Sequence, residues 1–260
     1  MRIVSLCPSN TELLAYLGKT EWLEGVDDYS DWPAEIKHLP RVGPDLSIDM
    51  DKVAALEPDL VLASLSVPGM EKNIEALDSK GLPYIILNPN TLTEIADDLI
   101  TVGEAIGIEA TAKEKREEFL GSIEKYQERT GRVTEQPALY WEWWPKPIFT
   151  PGKANWLTEI SELAGGYNIF QTEAGANIQT DWEDVLQRNP DHICMVWVGV
   201  KEEKMNPELV KKRPGWKEMT AVKHDQIHVL EESLYCRPSP RLLEGLKKLS
   251  DIIHLETFRD

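Results

Sequence analysis

Aromatic side chains are gathered in a few short stretches of this sequence. Its 260 residues include nine tryptophans and seven tyrosines, and several of the aromatic residues follow predicted strands. These residues are Tyr29, Trp32, Tyr140, Trp141, Trp143, Trp144, Phe149 and Tyr235. Because an aromatic ring buries roughly 150–250 Å² and has few rotamers to lose, such loops suit a planar, mostly apolar ligand with polar edges. Core packing is the alternative for each ring, although the three tryptophans before Pro-Lys-Pro cannot all face inward.

Three arginines are candidates for holding an anionic ligand. Arg41, Arg237 and Arg241 each carry a planar guanidinium group that can form two parallel hydrogen bonds to a carboxylate or a similar anion. The alternative for each is a structural bond to backbone carbonyls or to a carboxylate of the chain itself.

The histidines lack the spacing of a metal site. His224 and His228 are four residues apart, but they flank the start of a predicted strand and so do not share a helix face, and no other ligand spacing occurs. The five are His38, His192, His224, His228 and His254. We expect them to be exposed or satisfied by internal partners, with an axial imidazole to a metal chelate as the alternative.

Catalytic motifs are also missing from the sequence. It contains no GxSxG, no P-loop and no complete GxGxxG. Neighbouring acids such as Asp27-Asp28 and Glu231-Glu232 would point to opposite faces of a strand, which makes them poor acid–base pairs. We therefore expect no enzyme, no cofactor and no protein-bound metal, and a hydrolase is the alternative.

Composition narrows the class of partner. With 42% apolar and 28% charged residues, the chain is typical of a globular protein. Lys and Arg number 28 against 45 Asp and Glu, which gives a net charge of −17. This charge repels phosphate backbones, so nucleic acid is not an expected ligand.

The odd number and wide spacing of Cys7, Cys194 and Cys236 exclude a complete disulfide framework and predict buried thiols.

The first residues lead directly into an apolar strand. No apolar export signal precedes it, and no transmembrane helix is predicted. As written, the chain is expected to be cytoplasmic unless a leader precedes Met1.

Apolar β-rich runs alternate with helical patterns, which is typical of βα units around mostly parallel sheets. Strands are predicted at 2–6, 23–26, 60–63, 84–87, 138–141, 192–196 and 227–230. Ser9 and Glu12 predict a capping box for the first helix. Residues 109–129 are rich in Lys and Glu and predict one long helix joining two lobes. The expected division is an N-terminal α/β lobe at 1–106, a connecting helix at 107–131 and a C-terminal α/β lobe at 132–260.

A helix-to-strand unit occurs twice, 132 positions apart. Asp49–Val61 in the first half matches Asp181–Ile193 in the second, including an acid at the helix start, a second acid two residues later and a Pro-Asp pair. The first acid is expected to cap the helix, and the second, Asp51 or Glu183, to lie in its first turn. A purely structural role at the helix start is the alternative for all four acids. Two matching carboxylates, one in each half, would suit docking on a two-fold partner that bears arginines.

At this point the sequence resembles the periplasmic substrate-binding proteins of ABC importers with a helical backbone (class III), which capture vitamin B12, haem and ferric siderophores. The resemblance is closest to the cobalamin-binding branch. It is carried in order by the stretches Ser5–Leu13, Gly25–Pro33, Arg41–Gly43, Leu56–Val61, Phe149–Lys153, Gly165–Phe170 and Arg237–Arg241.

The resemblance implies two lobes, each a small, mostly parallel sheet wrapped by helices, with the ligand held between loops that follow the strands. It places Tyr29 at a corrin contact and Phe149 in a pocket loop, and it puts Asp51 and Glu183 at the carboxylates that meet the permease. Asp45, Ser64 and Leu234 stand where this branch can have aromatic residues, so the sequence departs from the branch at these positions. Trp143 and Trp144 are expected to compensate.

The sequence thus predicts a monomeric protein that binds a corrinoid-like macrocycle and presents it to an ABC permease dimer. Ligand contacts are expected from the eight aromatic residues above, Arg41 and Arg237. A ferric siderophore or haem is the alternative ligand, and cytosolic handling of a corrinoid or metal chelate is the alternative role.

Overall fold

The computed structural model describes residues 1–254 of the chain. The chain folds into two compact units. Unit 1 comprises residues 1–89 and 93–120, and unit 2 comprises residues 90–92 and the chain from 121 onward. Each unit has a four-stranded parallel sheet, which confirms the predicted α/β class.

Unit 1 is built on four short parallel strands in the order β2-β1-β3-β4. The strands are β1 (Ile3–Ser5), β2 (Leu23–Val26), β3 (Leu60–Ser64) and β4 (Tyr84–Leu87). The helices are α1 (Pro8–Tyr16), α2 (Met50–Ala55), α3 (Glu71–Lys80), α4 (Leu92–Ala105) and α5 (Glu109–Thr130). Short 3₁₀ helices are present at Thr20–Trp22 and Ala34–His38. All four strands were predicted from the sequence.

Helix α5 belongs to both units, because the division falls between Leu120 and Gly121 within it. Its 22 residues span about 33 Å at 1.5 Å per residue. Of its apolar residues, Ala112, Phe119 and Ile123 are buried and Tyr126 is half-buried.

Unit 2 contains a parallel sheet in the order β11-β10-β5-β8 and a second, antiparallel sheet in the order β6-β7-β9. The strands are β5 (Ala138–Glu142), β6 (Trp144–Pro145), β7 (Ile148–Pro151), β8 (Tyr167–Asn168), β9 (Asn177–Thr180), β10 (His192–Met195) and β11 (Ile227–Val229). The helices are α6 (Trp156–Leu163), α7 (Trp182–Arg188), α8 (Glu208–Lys211), α9 (Thr220–Lys223), α10 (Glu232–Tyr235) and α11 (Leu242–Ile253). Two 3₁₀ helices lie at Glu202–Lys204 and Trp216–Glu218.

The Pro-Asp pairs of the internal repeat have the same structural role in both units. Asp59 accepts a hydrogen bond from the backbone N–H of Arg2 at 2.7 Å and returns one to the Arg2 carbonyl at 2.8 Å. Asp191 makes the matching pair of bonds with Ala138, both at 2.9 Å. Each aspartate therefore closes the open end of the ladder between the first strand of its unit and the neighbouring strand.

The start of α1 differs from the prediction. Cys7, not Ser9, is the N-cap residue, and Pro8 occupies the first helical position without a side-chain cap bond. The predicted Ser9–Glu12 capping box is therefore wrong. Proline suits this position because its missing N–H would have no partner in the first helical turn.

Each unit has an apolar core. In unit 1, Val4, Leu6, Val53 and Val61 pack together, and in unit 2 the core gathers around Tyr140. Cys7 and Cys194 are buried and Cys236 is half-buried, all as free thiols. None of the helices in residues 1–254 is both long and apolar enough to cross a membrane.

Two histidines on neighbouring strands of unit 2 form a pair. His192 Nδ1 lies 3.0 Å from His228 Nε2, and the rings stack with centroids 5.2 Å apart. Burial lowers the pKa of both rings, and the charge of His228 adds to this effect at His192, whose pKa falls to about 4. One imidazole can donate to the other only while the acceptor is neutral.

We expect this pair to destabilise the protein in acid. Because the folded-state pKa of His192 lies below its ordinary value of 6.5, the unfolded chain takes up the proton first. The contribution of the neutral His192 ring to the stability of the folded protein is complete above pH 6.5 and is lost as the pH falls towards 4. Thermal midpoints measured by circular dichroism from pH 4 to 7.5 should therefore fall less steeply for His192→Gln/His228→Gln than for the wild type. The exposed His224→Gln variant should keep the wild-type slope, and a double variant with that same slope would contradict the prediction.

Candidate functional site

The carboxyl ends of parallel strands are where ligands bind in open α/β sheets. In unit 1, Tyr29 and Trp32 follow the carboxyl end of β2. In unit 2, Trp143 and Trp144 follow the carboxyl end of β5. Each unit therefore presents its own candidate ligand-binding edge.

A buried chain of polar side chains shapes the edge of unit 1. Thr11 Oγ1 lies 2.8 Å from both Ser5 Oγ and Ser30 Oγ, and Ser30 Oγ donates to the Asp27 carboxylate. Ser5 Oγ also donates to the Cys7 carbonyl at 3.0 Å. The four side chains of Ser5, Thr11, Asp27 and Ser30 have 1% or less of their surface exposed, so these bonds hold the loop after β2 against α1.

Tyr29 lies on this loop with its side chain exposed. Its backbone N–H donates to Asp27 Oδ2 at 2.8 Å, while the residue is 54% exposed. Trp32, three residues later, is half-buried. The backbone of the loop is thus fixed while the Tyr29 ring is open to contact from outside.

Arg41 stabilises the same loop by hydrogen bonds to its backbone. Its Nη1 donates to the Asp27 carbonyl at 2.9 Å and to the Ser30 carbonyl at 2.5 Å. This is the structural role that the sequence left open as the alternative to anion binding.

Cys7, at the carboxyl end of β1, is not poised as a nucleophile. Burial raises the pKa of its thiol to about 11, although a hydrogen bond with Ser9 acts in the opposite direction. The thiol is therefore protonated at neutral pH.

A buried carboxylate, Glu142, lies at the carboxyl end of β5 in unit 2. Arg213 donates to both of its oxygens, at 2.5 and 2.8 Å, and both side chains are buried. The Tyr140 hydroxyl donates at 3.0 Å and Trp197 Nε1 at 3.1 Å. Because four donors surround the two oxygens, the negative charge is compensated in the interior.

Arg213 is also enclosed by aromatic rings. Its guanidinium carbon lies 4.4 Å from the ring centroid of Trp216 and 5.4 Å from that of Trp182. These contacts fix the orientation of the guanidinium group towards Glu142.

Trp144 and Trp197 form the exposed aromatic surface of this edge. Trp144 is 42% exposed, and its ring centroid lies 6.3 Å from that of the half-buried Trp197. Phe149, also half-buried, pairs with Trp144 across the β6–β7 ladder. The hydrogen bond from Trp197 Nε1 to the buried Glu142 carboxylate orients the Trp197 ring, and the Trp144 ring packs beside it.

Trp143 lies mostly inside unit 2. It is 8% exposed and packs on Trp156, with ring centroids 6.0 Å apart. Its contribution to an exposed face is therefore much smaller than that of Trp144.

Three of the predicted ligand contacts are core residues. Tyr140, Trp141 and Tyr235 have no exposed surface. Trp141 packs on Tyr235 at 5.4 Å and donates to Ser161 Oγ at 2.8 Å, and the Tyr235 hydroxyl donates to the Gly245 carbonyl at 2.8 Å. Each of the three is therefore a buried core side chain with its polar atom hydrogen-bonded.

The remaining arginines also bond within unit 2. Arg237 is 8% exposed and lies 3.2 Å from the Glu232 carboxylate. Arg241 lies 3.2 Å from Glu244. Both make the structural bond to a carboxylate that the sequence allowed.

The two repeated acids occupy matching positions in the two units. Asp49 Oδ1 caps α2 by accepting from the N–H groups of Asp51 and Lys52, and Asp181 Oδ1 caps α7 by accepting from those of Glu183 and Asp184. The second acid therefore lies in the first turn of each helix and is exposed. Lys80 Nζ lies 2.6 Å from the Asp51 carboxylate and lowers its pKa, chiefly through that hydrogen bond.

Sequence reasoning missed Trp197, Glu142 and Arg213. Trp197 follows β10 just as the predicted aromatic residues follow their strands, so the same signal could have identified it. Glu142 stands between tryptophans at the end of an apolar strand, where a buried carboxylate requires a cationic partner. That partner is 71 positions away, and no local pattern points to it.

Among residues 1–254, no group of three or more His, Cys, Asp or Glu side chains is arranged to hold a metal ion. The exposed groups at both edges are aromatic rings supported by buried hydrogen bonds. This arrangement suits contact with a flat apolar surface.

Comparison with known proteins identifies the family. The sequence model of the periplasmic binding protein family matches residues 3–234. In Bacillus subtilis, the uncharacterized ABC transporter substrate-binding lipoprotein YvrC is 31% identical over 264 positions, which cover 100% of this chain and 82% of that protein.

Two solved structures extend the similarity to the fold. The periplasmic vitamin B12 binding protein BtuF of Vibrio cholerae is 25% identical with a TM-score of 0.79, over 99% of this chain and 98% of that one. A possible iron-binding (periplasmic solute-binding) protein of Staphylococcus epidermidis is 28% identical with a TM-score of 0.83, over 97% and 98%. Together with the family model, these similarities show that the chain belongs to the periplasmic binding protein family, as a class III substrate-binding protein of the ABC-transporter type.

Proposed function

We propose that this protein captures a corrinoid or a closely similar macrocycle and presents it to an ABC permease. The observation that carries the proposal is the exposed aromatic surface at the strand ends of each unit, formed by Tyr29 in unit 1 and by Trp144 with Trp197 in unit 2. Phe149 and Trp32 extend these surfaces. Flat rings on fixed loops bind a planar ligand with little loss of side-chain entropy.

The arginines favour a corrinoid over an anionic iron chelate. Arg41, Arg237 and Arg241 each bond to carbonyls or carboxylates of their own unit. An anionic ferric siderophore, or the propionates of haem, would have to compete for these groups, and the net charge of −17 adds repulsion. A corrinoid edged with neutral amides avoids both costs. The vitamin B12 binding relative from Vibrio cholerae supports this choice, and the iron-binding relative keeps an iron chelate as the second candidate.

Ligand identity is tested by titrating the purified protein with cyanocobalamin, haem and a ferric catecholate while following tryptophan emission, corrected for ligand absorbance. We expect saturable quenching by cyanocobalamin. Trp144→Ala and Trp197→Ala should each raise the Kd about tenfold, or about 1.4 kcal/mol, because each removes an aromatic face from the ligand.

Trp22→Ala is the matched control, because Trp22 precedes β2 at the amino edge of the sheet in unit 1. It should bind as the wild type does. No response to any of the three ligands at tens of micromolar would overturn the macrocycle proposal. Tighter binding of haem or the catecholate would replace the corrinoid by the iron chelate.

The exposed acids Asp51 and Glu183 are proposed to dock on the permease. The double variant Asp51→Ala/Glu183→Ala should leave the ligand titration unchanged, because neither carboxylate is among the proposed ligand contacts. It should abolish stimulation of ATP hydrolysis by the permease–ATPase complex reconstituted in liposomes. Glu75→Ala/Glu203→Ala removes the same charge from other exposed positions and should keep the stimulation. A loss of ligand affinity in the first variant would contradict the docking assignment.

A further inference from the structure

Unit 2 carries a surface groove of about 510 Å³ beside Glu183. One wall is the turn and the start of β7, residues 145–148, and the other is the end of β9 with the first turn of α7, residues 179–183. We call it the Glu183 groove. The paired residues Ile148 and Thr180 hold the two walls together in one antiparallel ladder.

The interior of the groove is mostly apolar and firmly supported. Pro145, Pro147, Ile148 and Trp182 contribute apolar surface. The Trp182 carbonyl accepts a hydrogen bond from Trp216 Nε1 at 3.0 Å, so this wall is tied to the core of the unit. An apolar groove of fixed shape suits an apolar side chain of a partner.

The rim of the groove is charged. Asp181 Oδ1 accepts the capping hydrogen bonds at the start of α7. The Glu183 carboxylate, by contrast, has no hydrogen bond or ion pair with any residue in the range 1–254. Lys146 adds an exposed cation across the groove. An exposed carboxylate next to an apolar groove complements a segment in which a basic side chain neighbours an apolar one.

The matching acid of unit 1 has different surroundings. Asp51 is already paired with Lys80 at 2.6 Å. In the described part of unit 1 the sheet is wholly parallel, and the antiparallel sheet that builds the groove belongs to unit 2. The two repeated carboxylates thus occupy the same position in their helices but differ in their neighbours, which are a paired lysine at Asp51 and an apolar groove at Glu183.

We propose that the Glu183 groove is the stronger of the two permease contacts and that it receives an apolar side chain of a permease loop, while a neighbouring basic side chain pairs with Glu183. This inference rests on the docking function proposed above. The Asp51 contact adds less, because a permease cation must share or displace Lys80. A two-fold permease is therefore held unequally by the two units.

The test measures binding of the ligand-loaded protein to the same permease–ATPase complex in lipid nanodiscs. Gln179→Trp fills the groove from an exposed position of β9 without changing any charge. It should weaken binding about tenfold or more, with little dependence on salt. Gln127→Trp, an exposed glutamine on α5, is the matched control and should bind normally.

Single-charge variants separate the two carboxylates. Glu183→Gln should weaken binding more than Asp51→Asn, and it should reduce the salt dependence. Lys80→Met should strengthen binding a few-fold, because it releases Asp51 for the permease. The double variant Glu183→Gln/Gln179→Trp should lose less binding free energy than the sum of the two single variants, since both groups contact one permease loop.

The outcomes distinguish the groove from the docking function. Normal binding of Gln179→Trp, with equal losses for Asp51→Asn and Glu183→Gln, would overturn the groove and leave docking intact. Normal binding of both single-charge variants and of their combination would overturn docking itself. Thermal midpoints and circular dichroism spectra confirm that each variant is folded, and Gln179→Arg, which also blocks the groove, replaces Gln179→Trp should that variant unfold. Normal binding of folded Gln179→Arg would equally overturn the groove.

Discussion

The burial of one negative charge organises the candidate ligand-binding edge of unit 2. Removing a carboxylate from water costs several kcal/mol unless its oxygens are fully bonded, and Glu142 is fully buried. Its donors come from β5 itself, from the segment after β10 and from the segment after α8. These segments must dock together before the charge is compensated. The position of Trp197, and through it of Trp144, follows from that requirement.

Unit 1 holds its candidate ligand-binding edge with a different set of buried bonds. Its edge is held by hydroxyls that link Ser5, Thr11 and Ser30 to the Asp27 carboxylate, and by Arg41 on the loop carbonyls. Both edges therefore combine a rigid polar interior with an exposed aromatic ring. Rigidity matters here because a ring that is already fixed loses little freedom when a ligand stacks on it.

The sequence was sufficient for the elements that local patterns define. All seven predicted strands exist, and the long helix ends within one residue of its predicted end, because hydrophobic runs and proline-free charged stretches report directly on backbone structure. The side of a strand on which a ring lies is harder to predict. In a parallel strand buried on both faces, Trp141 and Tyr140 carry no period-two signal, so the aromatic cluster was assigned to the ligand although its centre is core. The β6–β7–β9 sheet was not predicted, and its shortest strand, β6, has only two residues.

The internal repeat shows which features the two units need in common and which can diverge. Capping aspartates and Pro-Asp pairs recur because each bonds backbone groups that every such helix and strand leaves open. The exposed acids Asp51 and Glu183 satisfy no backbone group, so folding alone does not require a carboxylate at either position. Their surroundings are set by neighbouring elements, namely α3 with Lys80 in unit 1 and the antiparallel sheet in unit 2. In the proposed docking, a two-fold partner offers the same surface to both carboxylates, so a difference in strength between the two contacts comes from the surroundings of Asp51 and Glu183.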